Sequence, residues 1–181
     1  MNRNANNHFR NVPDIDIKRA QFFIPHTHKT TFDSGKLIPI FRMEVLAGDT
    51  IDIDMGAAIR MATPIFPVMD NAWADVYFFY TPFRLLWQHY KEFLGENKLT
   101  AWEQPVEYEI PQIEAPEGGW NAGTIADYIG IPTEVDNISI SHLYFRAYCE
   151  IWNNWFRDQN LKDAAMVNYD ETTLTGANSG D

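Results

Sequence analysis

The chain has 181 residues, 45% hydrophobic and 22% charged, with a net charge of −11. That composition is globular, neither disordered nor fibrous, and long enough for one domain with a sizeable core. A single cysteine, Cys149, excludes an intramolecular disulfide framework and a multi-thiolate zinc site, and no apolar run approaches the ~20 residues of a membrane helix. Aromatics are abundant at 14%, which implies large buried surfaces in a core or against partners.

The charge is unevenly spread. Residues 1–42 carry seven Lys/Arg against three Asp, a net of +4, and the remainder carries a net of −15. A basic, Asn-rich arm ahead of an acidic body suits a segment that meets a polyanion, and a solvated tail has the same composition. Met1–His8 has no apolar stretch of the signal-peptide kind.

Residues 1–17 are polar, lack periodicity and read as mobile. From Gln21 to Ile40 the prolines forbid a helix, and an extended arm is expected. Thr50–Met55 alternates, with Ile51, Ile53 and Met55 on one face, and predicts a half-buried strand. Trp73–Tyr80 predicts a second strand, apolar on both faces and so covered on both. Phe83, Trp87, Tyr90 and Leu94 predict a short amphipathic helix that Gly95 ends. Residues 103–119, rich in Pro and Glu, predict an extended loop. Thr124 and Asp127 fit the two ends of a capping box, closed by Gly130 and Pro132. Ser141 to about Arg157 is the longest helical stretch, apolar on two faces and therefore sandwiched. After Leu161 the chain turns polar, with no closing element expected.

No motif points to catalysis. His26-x-His28 has the spacing of a strand-borne metal pair but lacks a third ligand nearby, so surface or interface histidines are expected. Asp52 and Asp54 fall on the wet face of the first strand. Glu107 and Glu109 share one loop, whereas glycosidase carboxylates converge from separate elements. Cys149, among Tyr148, Ile151 and Trp152, reads as a buried, inert thiol. No enzyme, cofactor or metal is expected. The surplus aromatics, among them Trp87, Tyr90, Trp152, Trp155 and Phe156, suit subunit contacts or the packing of insertions. A carbohydrate-binding β-domain is the alternative, though it would place its aromatics on a strand face and most of these lie on helical stripes.

The stretch Phe22–Asp54, with His28, Thr30-Thr31-Phe32, Leu37-Ile38-Pro39, Glu44-Val45-Leu46 and Gly48-Asp49-Thr50, resembles the start of the major capsid protein of microviruses, in the gokushovirus branch. The resemblance continues through Arg60-Met61-Ala62-Thr63-Pro64, Phe93-Leu94-Gly95-Glu96, Leu143–Tyr148 and Ile151–Arg157, and covers roughly residues 18 to 162. Ala47 departs from the Pro often found there, and the family's protein continues well past the position of Asp181. The resemblance implies a mainly β fold, part of an eight-stranded antiparallel viral jelly roll with helical and loop insertions. It implies a structural subunit of a small icosahedral shell around single-stranded DNA, assembled in the host cytoplasm with other virion or scaffolding proteins and no membrane. The expected organisation is a basic arm over 1–20, a capsid-domain portion over 21–165 and a polar loop over 166–181. Arg3, Arg10, Lys18 and Arg19 are the expected nucleic-acid contacts.

Overall fold

A computed structural model describes residues 19–104 and 106–178. The segment expected to be mobile, 1–17, lies outside these residues, as do Arg3, Arg10 and Lys18.

Regular structure is concentrated after Thr81. It comprises α1 (Phe83–Leu86), α2 (Tyr90–Phe93), β1 (Gln112–Glu114), α3 (Ile125–Ile129), β2 (Ser139–Ser141), α4 (Leu143–Ile151) with a π-helical turn at Trp152–Phe156, and β3 (Leu174–Thr175). The strands form one mixed sheet in the order β2–β1–β3, with β1 antiparallel to β2 and parallel to β3. No helix among the described residues is long and apolar enough to cross a membrane.

β1 shows how little sequence a central strand needs. Ile113 points into the core, opposite Ile140 and Leu174, while Gln112 and Glu114 face outward. The ladder extends one bond each way, through His142 N–H to the Pro111 carbonyl (2.9 Å) and Ala115 N–H to the Ile138 carbonyl (2.8 Å). The Pro/Glu-rich segment expected to be a loop thus supplies the middle strand. Pro111 and Pro116 flank Gln112–Glu114, where their missing N–H groups cost no sheet bond.

The two strands expected, one from alternation and one from an apolar run, are not strands here. Thr50–Met55 and Trp73–Tyr80 belong to no ladder, and Ile53, Trp73, Phe78 and Tyr80 are exposed. Alternation specifies faces, while a strand also requires a hydrogen-bonded neighbour, and among the described residues none lies beside either segment.

The helix expected over Phe83–Leu94 is two single turns, because Trp87 adopts extended dihedrals (φ −145°, ψ 123°) between them. The stripe survives the break: Leu86 and Trp87 are buried with Leu143, flanked by Phe83, Tyr90, Tyr108 and Ala147. α3 forms where its capping residues are. The Thr124 side chain accepts from Asp127 N–H, the Asp127 carboxylate accepts from Gly123 N–H (2.8 Å), and Gly130 closes the helix at φ 93°. A second buried cluster gathers Ile113, Trp120, Ala126 and Ile131. Gly119 makes its close chain crossing possible: at φ 78°, an added Cβ would stand 2.3 Å from the Val135 nitrogen. The long helix starts two residues later than expected, since Ser141 ends β2, and its last turn is π-helical.

One buried cation joins these parts. Arg146, 1% exposed, donates from Nε to His142 Nδ1 (3.1 Å), from Nη1 to the Leu86 carbonyl (3.0 Å) and from Nη2 to the Asp170 carbonyl (2.7 Å). The segment after Leu161, where no closing element was expected, is thereby held in place. The Tyr169 carbonyl takes Gln88 N–H (3.1 Å), Glu171 Oε1 takes Trp87 Nε1–H (2.6 Å) and contacts His89 Nδ1, and Leu174–Thr175 completes the sheet.

Arg146→Met in the full-length protein leaves the Leu86 and Asp170 carbonyls without donors and should cost roughly 2–4 kcal/mol. Amide exchange should accelerate at Gln88 and Gly176, whose N–H groups bond Tyr169 and Glu114. Unchanged protection at both would show that Arg146 is not the joint.

A pH dependence also follows. His142 Nδ1 accepts a hydrogen bond and so carries no proton, and burial, then the neighbouring Arg146 charge, lower its pKa from 6.5 to about 4. The unfolded chain therefore binds the extra proton first, and this contribution to stability is full above pH 6.5 and falls away as the pH drops toward 4. For Glu171, burial opposes ionisation but the hydrogen bonds from Trp87 and His89 outweigh it, so its carboxyl lies below the ordinary 4.5 and adds a further loss under that pH. Melting temperature followed from pH 7 to pH 4 should fall in the wild type and fall less in His142→Asn.

Candidate functional site

The described residues show contact surfaces and no catalytic centre. No group of three or more His, Cys, Asp or Glu side chains among them could hold a metal ion. His26 and His28 stack ring to ring (centroids 6.4 Å, 12° between planes), and His26 Nε2 donates to the Ile40 carbonyl (3.3 Å). Cys149 is half-buried, and burial, reinforced by Glu150, pushes its thiol pKa up, away from the thiolate a nucleophile needs. Glu107 and Glu109 are exposed on the stretch leading to β1, and Asp52 and Asp54 are exposed in the unpaired segment. The hollow lined by Glu114, Ala115, Asn137, Ile138 and Ser139 has about 160 Å³, below the range of ligand pockets.

The most developed surface is aromatic. The π-helical turn, closed by Arg157 N–H on the Trp152 carbonyl (2.8 Å), brings Trp155 and Phe156 against the segment 73–80. Phe79 packs at 5.9 Å from Trp155 and 6.0 Å from Phe156, and Tyr77 at 5.7 Å from Phe156, in tilted and edge-on arrangements. Yet the four rings remain wet, Trp155 at 73% and Tyr77 at 57% exposure. Ile51, Ile53, Met55, Ile59 and Met61 are exposed as well. Apolar surface on this scale marks an interaction face.

The aromatic residues singled out from the sequence divide accordingly. Trp87 is 1% exposed inside a cluster, with Tyr90 half-buried against it and Trp152 half-buried at the start of the π turn. Trp155 and Phe156 stand on the outer face, and their partners Tyr77 and Phe79 were legible only as strand residues. The turn is held by Asn153, whose side-chain amide donates to the Ala165 carbonyl (2.9 Å) and accepts from Ala165 N–H (2.8 Å).

A second feature is the arm. Three tyrosines hold it by their hydroxyls: Tyr128 donates to the Thr31 carbonyl (3.3 Å), Tyr148 to the Leu37 carbonyl (2.9 Å) and Tyr144 to Glu44 Oε1 (2.6 Å). Arg42 lies 4.4 Å over the Tyr144 ring and donates from Nε to the Ile129 carbonyl (3.1 Å). Arg19 is exposed and donates to the Gly48 carbonyl at 3.4 Å.

A family model described as "Capsid protein (F protein)" of phages matches residues 10–180. The chain belongs to this capsid protein family. It is 39% identical over 162 residues to the capsid protein VP1 of Spiroplasma virus 4, an alignment covering 90% of this chain and 29% of that protein. The VP1 of Bdellovibrio phage phiMH2K is 42% identical over 159 residues, covering 88% of this chain and 30% of its own length. For the VP1 of Chlamydia phage 1 the figures are 40% over 165 residues, 89% and 28%. These are microvirus capsid proteins, as the resemblance in the sequence implies, and their names point to a structural, non-enzymatic role. The chain spans less than a third of their length.

Tyr148→Phe removes one hydrogen bond to the arm and keeps the ring, at a cost of about 1 kcal/mol. Limited proteolysis of the full-length protein should then cut faster between residues 29 and 42 while cleavage elsewhere is unchanged. Equal rates in that interval would mean that the Tyr148 hydroxyl does not hold the arm.

Proposed function

We propose that the chain forms part of the structural subunit of a small icosahedral virus shell enclosing single-stranded DNA, and that it works by self-assembly. The observation that carries this reading is the family match over residues 10–180. The exposed apolar face supports it, since Ile53, Trp73, Tyr77 and Trp155 wait for a cover that the described residues do not supply. In the assembled subunit Thr50–Met55 and Trp73–Tyr80 become strands of an eight-stranded jelly roll, paired by segments outside residues 1–181. Trp155 and Phe156 pack against the rest of the subunit or a neighbouring one, and Trp87, Tyr90 and Trp152 hold the helical insertions together.

On this reading the partners are further copies of the protein, other virion or scaffolding proteins, and the genome, and the place of action is the virion after assembly in the host cytoplasm. Arg3, Arg10, Lys18 and Arg19 contact phosphates, and the net +4 of residues 1–42 against a net −15 beyond them supports that role. The carbohydrate-binding alternative has no comparable support.

Imaging purified full-length protein should show uniform closed shells. A monomer that stays soluble and binds polysaccharide through its Trp residues would overturn the proposal. Deleting residues 1–20 should lower both the DNA content of the particles and the salt sensitivity of DNA retention, because each Lys or Arg on a phosphate releases a counterion. If both were unchanged, the arm would have no genome role.

A further inference from the structure

We propose that residues 19–29 form a stacking platform for single-stranded DNA, on which Phe22 and Phe23 receive bases while Arg19 and Lys29 face phosphates. The inference rests on the genome-enclosing reading above and goes beyond it by assigning base contacts to side chains that reading does not use.

The first observation is electrostatic. The chain has 25 Asp and Glu, yet none falls between Asp16 and Asp33. That interval holds Lys18, Arg19, His26, His28 and Lys29. With three Lys/Arg and no carboxylate in a chain of net charge −11, this stretch attracts a polyanion locally.

The second observation is exposure. Phe22 is 81% and Phe23 92% exposed, among the wettest large apolar side chains described, and Ile24 beside them is 62% exposed. Two adjacent wet phenyl rings flanked by cations are the pairing that single-strand binders use, since every base has a flat face for an aromatic ring and every linkage a phosphate for a cation. An apolar protein interface, by contrast, is depleted of charge at its core.

The third observation is that the strip is tied down around the rings. Arg19 donates to the Gly48 carbonyl (3.4 Å), His26 Nε2 to the Ile40 carbonyl (3.3 Å), and the His26 ring meets Phe41 edge-on at 5.1 Å. A strip fixed at both ends loses less freedom on binding than a free tail. Contacts of this kind are indifferent to base sequence, as a shell that holds a whole genome requires.

The test is ultraviolet crosslinking of intact, DNA-filled particles of the full-length protein, followed by mass mapping of nucleotide adducts. Adducts are expected on Phe22 or Phe23. Phe22→Leu with Phe23→Leu keeps the apolar bulk but removes the flat faces, and should reduce those adducts roughly tenfold with particle yield and DNA content maintained. Arg19→Gln and Lys29→Gln should each lower the salt slope of DNA retention by about one. DNA-filled particles whose adducts all lie outside residues 19–29 would overturn the platform and leave genome enclosure standing. Adduct yields unchanged in the double variant, or Phe22 and Phe23 found crosslinked to a neighbouring copy of the protein instead, would overturn it equally. Shells that never contain nucleic acid would bring down both readings.

Discussion

The arrangement of this chain depends on one buried guanidinium. Arg146 spends its donors on groups far apart in sequence, the Leu86 carbonyl sixty residues before it and the Asp170 carbonyl twenty-four after it, with His142 one helical turn away. Burial works against its charge, and the nearby Asp170, Glu171 and Tyr169 favour it. A lysine could not replace it, because a point charge on a flexible stem does not present three donors in fixed, diverging directions. From this joint follows the position of the segment after Asn168, and from that the docking of β3 on β1. The sheet therefore rests on a polar contact made outside it, which compensates for strands of only two or three residues.

The apolar side chains fall into two populations. One is enclosed in the clusters around Trp87 and Trp120, where burial excludes water and each large side chain contributes about 2 kcal/mol. The other, drawn from Ile51 to Tyr80 and from Trp155 and Phe156, stays in water although its composition is that of a core. Such a face persists in a functional protein only when something else covers it. The chain spans less than a third of its capsid relatives, and on the proposed reading the cover comes from the rest of a longer polypeptide or from neighbouring copies. Both sources give the same physics: apolar area removed from water at an interface in place of a core.

The arm follows a different logic. Leu37, Ile38 and Pro39 are half-buried, and its other anchors are tyrosine hydroxyls, a cation over a ring and single carbonyl bonds. Such contacts are individually small, so the segment can be directed along a surface while its own side chains, Phe22, Phe23 and Lys29 among them, stay free for something else.

What the sequence determined by itself was local. The cap of α3 was legible because Thr124, Asp127 and Gly130 act within a few residues of one another, and α4 because its apolar period runs along one continuous helix. The aromatic character of the outer face was legible in Trp155 and Phe156, and the family in ordered motifs spread over most of the chain. Tertiary structure decided the rest. Residues 50–55 alternate and residues 73–80 are an apolar run, yet neither has a neighbour to bond among the described residues, whereas Gln112–Glu114 has a single inward side chain, a proline-rich surrounding and two partners. Arg146 carries no sign of burial in its helical position, and Leu174–Thr175 is too short for any periodicity to show. Faces and caps are written in residues a turn apart, but hydrogen-bonding partners lie tens of residues away and exist only once the chain has brought them together.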